Sequence, residues 1–304
     1  MQTPASPTPR AFLASYPPAT LTLVEGATSI GAVALPSGKP TDVDTNGLGT
    51  SHDTSAGGTG ALGGDTSGAL NGGGGLRGYT ESCCTDNKAD NAYHVVSAYS
   101  VGATAVLDGF TIKNGYADGT APNHIGGGLF CDSNASPTIR NCIIECNYAS
   151  GNAGGVAVRY GASPTLSDCI IRHNLSAGAG GMMNYQGAAT LIDCTFQENS
   201  GLGTGPGGIV IGQCNPSLTR CVFDGNTSYS GTGGADLWGG ASPNIVGCTF
   251  TSNEGGYVTT YGPGALAIGA GCEPIVRDCT FLENAAPNVG GAVLATGGHG
   301  KFVQ

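Results

Sequence analysis

Charge is scarce in this chain. Only 11% of its 304 residues are Asp, Glu, Lys or Arg, and eleven basic residues stand against twenty-one acidic ones, for a net charge of −10. A chain so poor in cations has no electrostatic footprint for nucleic acid or an anionic membrane. It also lacks the basic groove that a polyanionic sugar would need. No run of eighteen apolar residues occurs, so no membrane insertion is expected. Residues 1–18 lack a basic start followed by an apolar stretch, so they do not read as a signal peptide. No CxxC pair is present, which removes the usual zinc-site spacing. Aromatic residues make up 7% of the chain, and Trp238 is its single Trp.

What the chain has in abundance is glycine, 55 residues of it, and the glycine is periodic. Openings fall at Gly127, Gly154, Gly180, Gly207, Gly233, Gly264 and Gly290, at spacings of 27, 26, 27, 26, 31 and 26 residues. The first six are each followed by a short apolar stretch, a turn that contains Pro except after Gly180, an Ile, Leu or Val, a Cys, an Ile or Phe, and an Asn. Leu166, Cys169, Ile171 and Asn174 show the pattern, and Leu218, Cys221, Phe223 and Asn226 repeat it. A fixed period of this size marks a solenoid. Within a unit the apolar residues alternate, as in Val156 and Val158, which is strand periodicity. By the same parity Ile209/Ile211, Leu266/Ile268 and Ala292/Leu294 are expected to point inward. Gly, Pro, Ser, Asn and Asp fill the intervals, as turns require. The expectation is an all-β fold, a right-handed parallel β-helix of about 26 residues per coil, with about three strands to the coil.

The opening Gly290-Gly291-Ala292-Val293 and the closes Phe196…Asn199, Phe223…Asn226, Phe250…Asn253 and Phe281…Asn284 resemble the repeats of chlamydial polymorphic outer membrane proteins. Asp90–Val96 and Ala103–Ile112 are similar to large bacterial secreted β-helix proteins with a pectate-lyase-like fold. The resemblance covers roughly residues 90–294 and implies the fold. It implies little about activity, because that fold hosts lyases, hydrolases, adhesins and fibres.

Stacked coils would place like residues on like. Cys142, Cys169, Cys194, Cys221, Cys248 and Cys279 form one expected column, read as small apolar core residues. Disulfides between adjacent coils are the alternative, disfavoured because in-register strands aim both Cβ atoms the same way. Cys83 and Cys84 could bridge elsewhere, with no partner assignable. Asn147, Asn174, Asn199, Asn226, Asn253 and Asn284 form a second column, whose side chains would satisfy backbone groups of the neighbouring coil. Residues 1–19 read as an extended arm, 20–102 as first strands with a Gly-rich loop, and 103–304 as regular coils. In the loop, Asp42, Asp44, Asn46 and Asp53 match the oxygen-ligand spacing of a calcium loop, with Gly47 at its turn. Ca2+ is thus the candidate cofactor, and a polar Asp/Gly turn the plainer reading.

Parity points Phe130, Asp132, Arg159, Met183, Tyr185, Val210, Asp236 and Trp238 out of the first strands. Aromatic rings on such a face could stack on sugars, so Phe130, Arg159, Tyr185 and Trp238 are the candidate ligand-binding residues. Ionisable residues beside the Asn turn (Glu145, Arg172, His173, Glu198, Asp224, Glu283) are spread one or two per coil with mixed sign. Gly298-His299-Gly300 resembles a polygalacturonase motif, but the Asn-Thr-Asp and Asp-Asp motifs of that family are missing. The expected function is therefore non-enzymatic: a secreted or cell-surface structural or adhesive protein that assembles head to tail with itself. Polysaccharide lyase or glycoside hydrolase activity is one alternative, and a carbohydrate-binding adhesin acting on extracellular polysaccharide is another.

Overall fold

The computed structural model describes residues 91–256 and 262–304. They form twenty-eight short strands and no helix, so no described helix can cross a membrane. All named strand pairs are parallel, and each strand pairs with its counterpart one coil away. Two eight-stranded sheets, one seven-stranded sheet and one five-stranded sheet run side by side along the molecule. One coil shows the plan: Leu129–Asp132, Thr138–Arg140, Ile143–Glu145, then Tyr148–Ala149. The coil thus has four strands rather than three. The fourth is two residues long, too short to leave an alternation in the sequence.

Register follows the repeat. Val156 pairs with Met182, Met182 with Ile209, and Ile209 with Ala235. The strand Val293–Ala295 differs from the expectation. Leu266 pairs with Val293 and Ile268 with Ala295, so Val293 and Ala295 point inward, and not Ala292 and Leu294. The glycine equivalent to Gly264 is accordingly Gly291. In a Gly290-Gly291-Ala292 run either glycine fits the motif, and only the pairing of Ala265 and Leu266 with this segment resolves it.

The openings are glycine because the backbone of the next coil lies against them. A Cβ on Gly154 would run into the Leu175 carbonyl, and one on Gly155 into the Gly181 carbonyl. Two further bends per coil are single left-handed residues. One precedes each column cysteine (Asn141, Asp168, Asp193, Arg220, Gly247, Asp278), and the other precedes each column asparagine (Cys146, His173, Glu198, Gly225, Ser252, Glu283). Most are not glycine, and the αL penalty of about 1–2 kcal/mol per residue is carried by the stacking on either side.

The interior is one continuous apolar cluster from Val96 to Val276. The rings of Phe196, Phe223, Phe250 and Phe281 stack at 4.8, 4.6 and 5.0 Å between centroids, their planes nearly parallel. That is the strand spacing of about 4.8 Å, so sheet pairing and ring stacking reinforce each other. The six column cysteines are free thiols. The asparagines form a hydrogen-bonded ladder. Asn199 Oδ1 accepts from the backbone N–H and the Nδ2 of Asn174, at 3.1 and 3.0 Å. Asn199 Nδ2 donates to the Ile171 carbonyl at 2.8 Å and to Asn226 Oδ1 at 3.0 Å. The same set recurs from Asn147 to Asn284.

Candidate functional site

The outward face of the first sheet carries a second, smaller apolar cluster. Phe130, Ala157, Met183 and Val210 lie there under Ile125, Ala153 and Ala179 from the preceding turns. Phe130 is completely buried and stacks on His94 at 4.6 Å. The His94 Nδ1–H donates to the Gly126 carbonyl at 2.9 Å, and burial lowers the pKa of the ring. Phe130 therefore has no face open to a ligand.

The positions two residues further along each strand are mixed: Asp132 is buried, whereas Tyr99 and Trp238 are exposed. In register they read Tyr99, Asp132, Arg159, Tyr185, Gly212 and Trp238. Tyr185 and Trp238 stack at 5.5 Å and 13°. Gly212 lies between them on the intervening strand, and a Cβ there would strike the indole. On the far side of Trp238 the next coil offers Gly269, again without a side chain. Tyr160 meets Tyr185 edge-on at 6.3 Å. Tyr99, Tyr160 and Trp238 are 40%, 51% and 42% exposed. A shallow pocket of about 230 Å³ is lined by Asn152, Met183, Asn184, Tyr185, Val210, Gly212 and Trp238.

Arg159 is less free. Its guanidinium bonds the Asp132 carboxylate at 2.8 Å and lies over the rings of Phe130 and Tyr160 at 4.9 and 4.7 Å. Of the four candidate ligand residues, the structure brings Tyr185 and Trp238 together, leaves Arg159 at the edge of the strip in an ion pair, and covers Phe130. Two aromatic members, Tyr99 and Tyr160, are not among the residues that parity points to this face. Tyr99 belongs to the first described coil, before the Gly127 opening, and Tyr160 sits just past the strand end, where alternation no longer tells inside from outside.

Four more ion pairs tie coil to coil. Arg140 bonds Asp108 at 2.9 Å, Arg172 bonds Glu145 at 2.7 Å, and Arg220 bonds Asp193 at 2.6 Å. His173 faces Glu198 at 3.3 Å. Hydrogen bonds and the neighbouring arginines hold the carboxyls of Asp108 and Asp193 below their usual range. His299 is exposed and donates its backbone N–H to the Cys272 carbonyl. Among the described residues no three His, Cys, Asp or Glu side chains gather into a group that could hold a metal ion. The calcium candidates Asp42, Asp44, Asn46 and Asp53 lie outside the described residues, as do Cys83 and Cys84. Cys146 is disulfide-bonded. Its place before Asn147, outside the cysteine column, is the signal that could have singled it out.

Four parallel sheets wound into one coil, with core columns of Cys, Phe and Asn, define a parallel β-solenoid. Residues 84–230 and 179–303 match the right-handed β-helix region family, so the chain belongs to the right-handed β-helix family. No curated protein and no solved structure matches the chain.

Proposed function

We propose that this β-helix is a non-enzymatic structural or adhesive protein of the cell exterior that assembles end to end with itself. The observation that supports assembly is the stacking itself: columns of Cys, Phe and Asn run through successive coils, and each coil offers its neighbour a matching row of backbone groups and side chains. A second copy of the chain could be received in the same way, in a heterologous contact that propagates into a filament. Phe302, which continues the column of Val276 and is 50% exposed, is the residue at which such a contact is tested. A non-catalytic role is supported by the ion pairs, which spend Asp108, Asp132, Glu145 and Asp193 on neighbouring arginines. The Cys146 disulfide supports an oxidising, extracellular setting.

Sedimentation velocity over a concentration series, with negative-stain imaging, tests the assembly. Growing rods are expected, cut to single subunits by Phe302→Lys with the melting temperature of the inner coils unchanged. A monodisperse monomer at high concentration would overturn it. A second reading, adhesion to extracellular polysaccharide, is favoured by the open stack of Tyr185 and Trp238. It predicts binding without release of reducing or unsaturated ends.

A further inference from the structure

One carboxylate on the ringed face is left unpaired. Asp236 points outward from the strand Ala235–Trp238, between Val210 on one flanking strand and Ala267 on the other. Neither Ile209–Gly212 nor Leu266–Ile268 carries a charged residue, and neither do the nearby turns 231–234 and 262–265. Asp236 is half-buried and makes no hydrogen bond or ion pair with any described residue. Desolvation alone pushes its carboxyl up to about 6. Asp108, Asp132, Glu145 and Asp193 each receive an arginine from the next coil, so the ladder would have offered Asp236 the same relief. A lone acid that costs stability marks a place kept for something other than the fold.

Two residues along the same strand face stands Trp238, about 6.6 Å away at the rise of an extended strand. Its outer side looks over Gly269, where no side chain competes. We propose that Trp238 and Asp236 together recognise an organic ammonium group, of the kind carried by an amino sugar. The cation would lie against the indole within about 6 Å of its centroid and be neutralised by the carboxylate. Tyr185, stacked behind Trp238, holds the indole plane in place. The net charge of −10 draws such a ligand in and turns anionic saccharides away. This inference rests on the adhesive reading of the aromatic strip and is independent of end-to-end assembly.

The single tryptophan makes the test direct, because the fluorescence of the full chain reports on Trp238 alone. The probes are a glucosamine trimer, the same trimer fully N-acetylated, cellotriose and choline, titrated at pH 7. Saturable binding of the glucosamine trimer is expected, about tenfold tighter than the N-acetylated trimer or cellotriose. Asp236→Asn should erase that preference while melting no lower than the parent. Trp238→Ala, read by calorimetry, should abolish binding. Choline binding as tightly as the glucosamine trimer would support the ammonium site and place its source in a quaternary headgroup. Equal affinity for charged and neutral trimers, or an unaltered preference in Asp236→Asn, would overturn the ammonium site and leave the saccharide platform standing. Silence with every probe would overturn both.

Discussion

The Asn199 side chain makes four hydrogen bonds from a position with no solvent access, and each ends on a group that is equally enclosed. Replacing it with Ala orphans two donors of Asn174, its backbone N–H and one Nδ2–H, and takes one bond each from the Ile171 carbonyl and Asn226 Oδ1, the latter still accepting the backbone N–H of residue 199. At about 1–3 kcal/mol for each buried orphan, partly relieved by relaxation, Asn199→Ala should cost about 3–5 kcal/mol in urea unfolding. Asn184 is the opposite case. It occupies an inward position between Val158 and Ile211, fully buried, and neither of its amide atoms has a partner. Asn184→Val completes the apolar column and should raise stability by about 1–3 kcal/mol. Asp236 adds a pH signature. Its folded pKa lies above the unfolded value near 3.8, so the fold holds this proton more tightly than the unfolded chain does. The associated stability is complete below pH ~4, is lost as pH rises towards 6, and stays lost above. Asp236→Asn should therefore melt higher than the parent at pH 7.5, and the gap should close at pH 4. A gap that is constant with pH would show that the carboxyl is not desolvated as described.

At the scale of strands, stability comes from stacking and not from length. Strands of two to four residues have little standing of their own, yet each is paired on both sides through the middle coils. Register is therefore the quantity to test, because a one-residue slip exchanges inside for outside. The strand Val293–Ala295 provides the case. Val293 packs against the core cluster, whereas Leu294 pairs with Ala267 on the outward face. Val293→Lys should lower the protection of amides in Leu266–Ile268 by hydrogen exchange, and Leu294→Lys should leave it intact. The reverse result would restore the alternation that pairs Ala292 with Leu294.

At the scale of the whole molecule, the core columns run through the described coils. Each coil contacts only its neighbours, so unfolding should proceed from the ends and the centre should exchange last. Seeds of preformed rods should shorten the lag of assembly, and Phe302→Lys seeds should not. Trp238 and Phe302 lie on different strands, Ala235–Trp238 and Lys301–Val303. Sugar binding should accordingly survive Phe302→Lys, and assembly should survive Trp238→Ala.

By itself the sequence determined the fold class, because a repeat near 26 residues with period-two alternation has few solutions that bury its apolar residues. It also determined the cysteine and asparagine columns, since residues equivalent in a repeat must stack once the coils do. The tertiary structure alone decided where the parity argument had no purchase. The fourth strand is too short to alternate, and the run of glycine at Gly290 and Gly291 fits two registers until hydrogen bonds to the neighbouring coil select one. Both Phe130 and Trp238 point out of the first sheet, yet one is roofed by Ile125 and its neighbours and the other stands open over Gly269. No alternation distinguishes them, because their difference lies in what the turns of adjacent coils happen to cover. The isolation of Asp236 was hidden for the same reason. A carboxylate is seen to be unpaired only once every strand and turn around it has been placed.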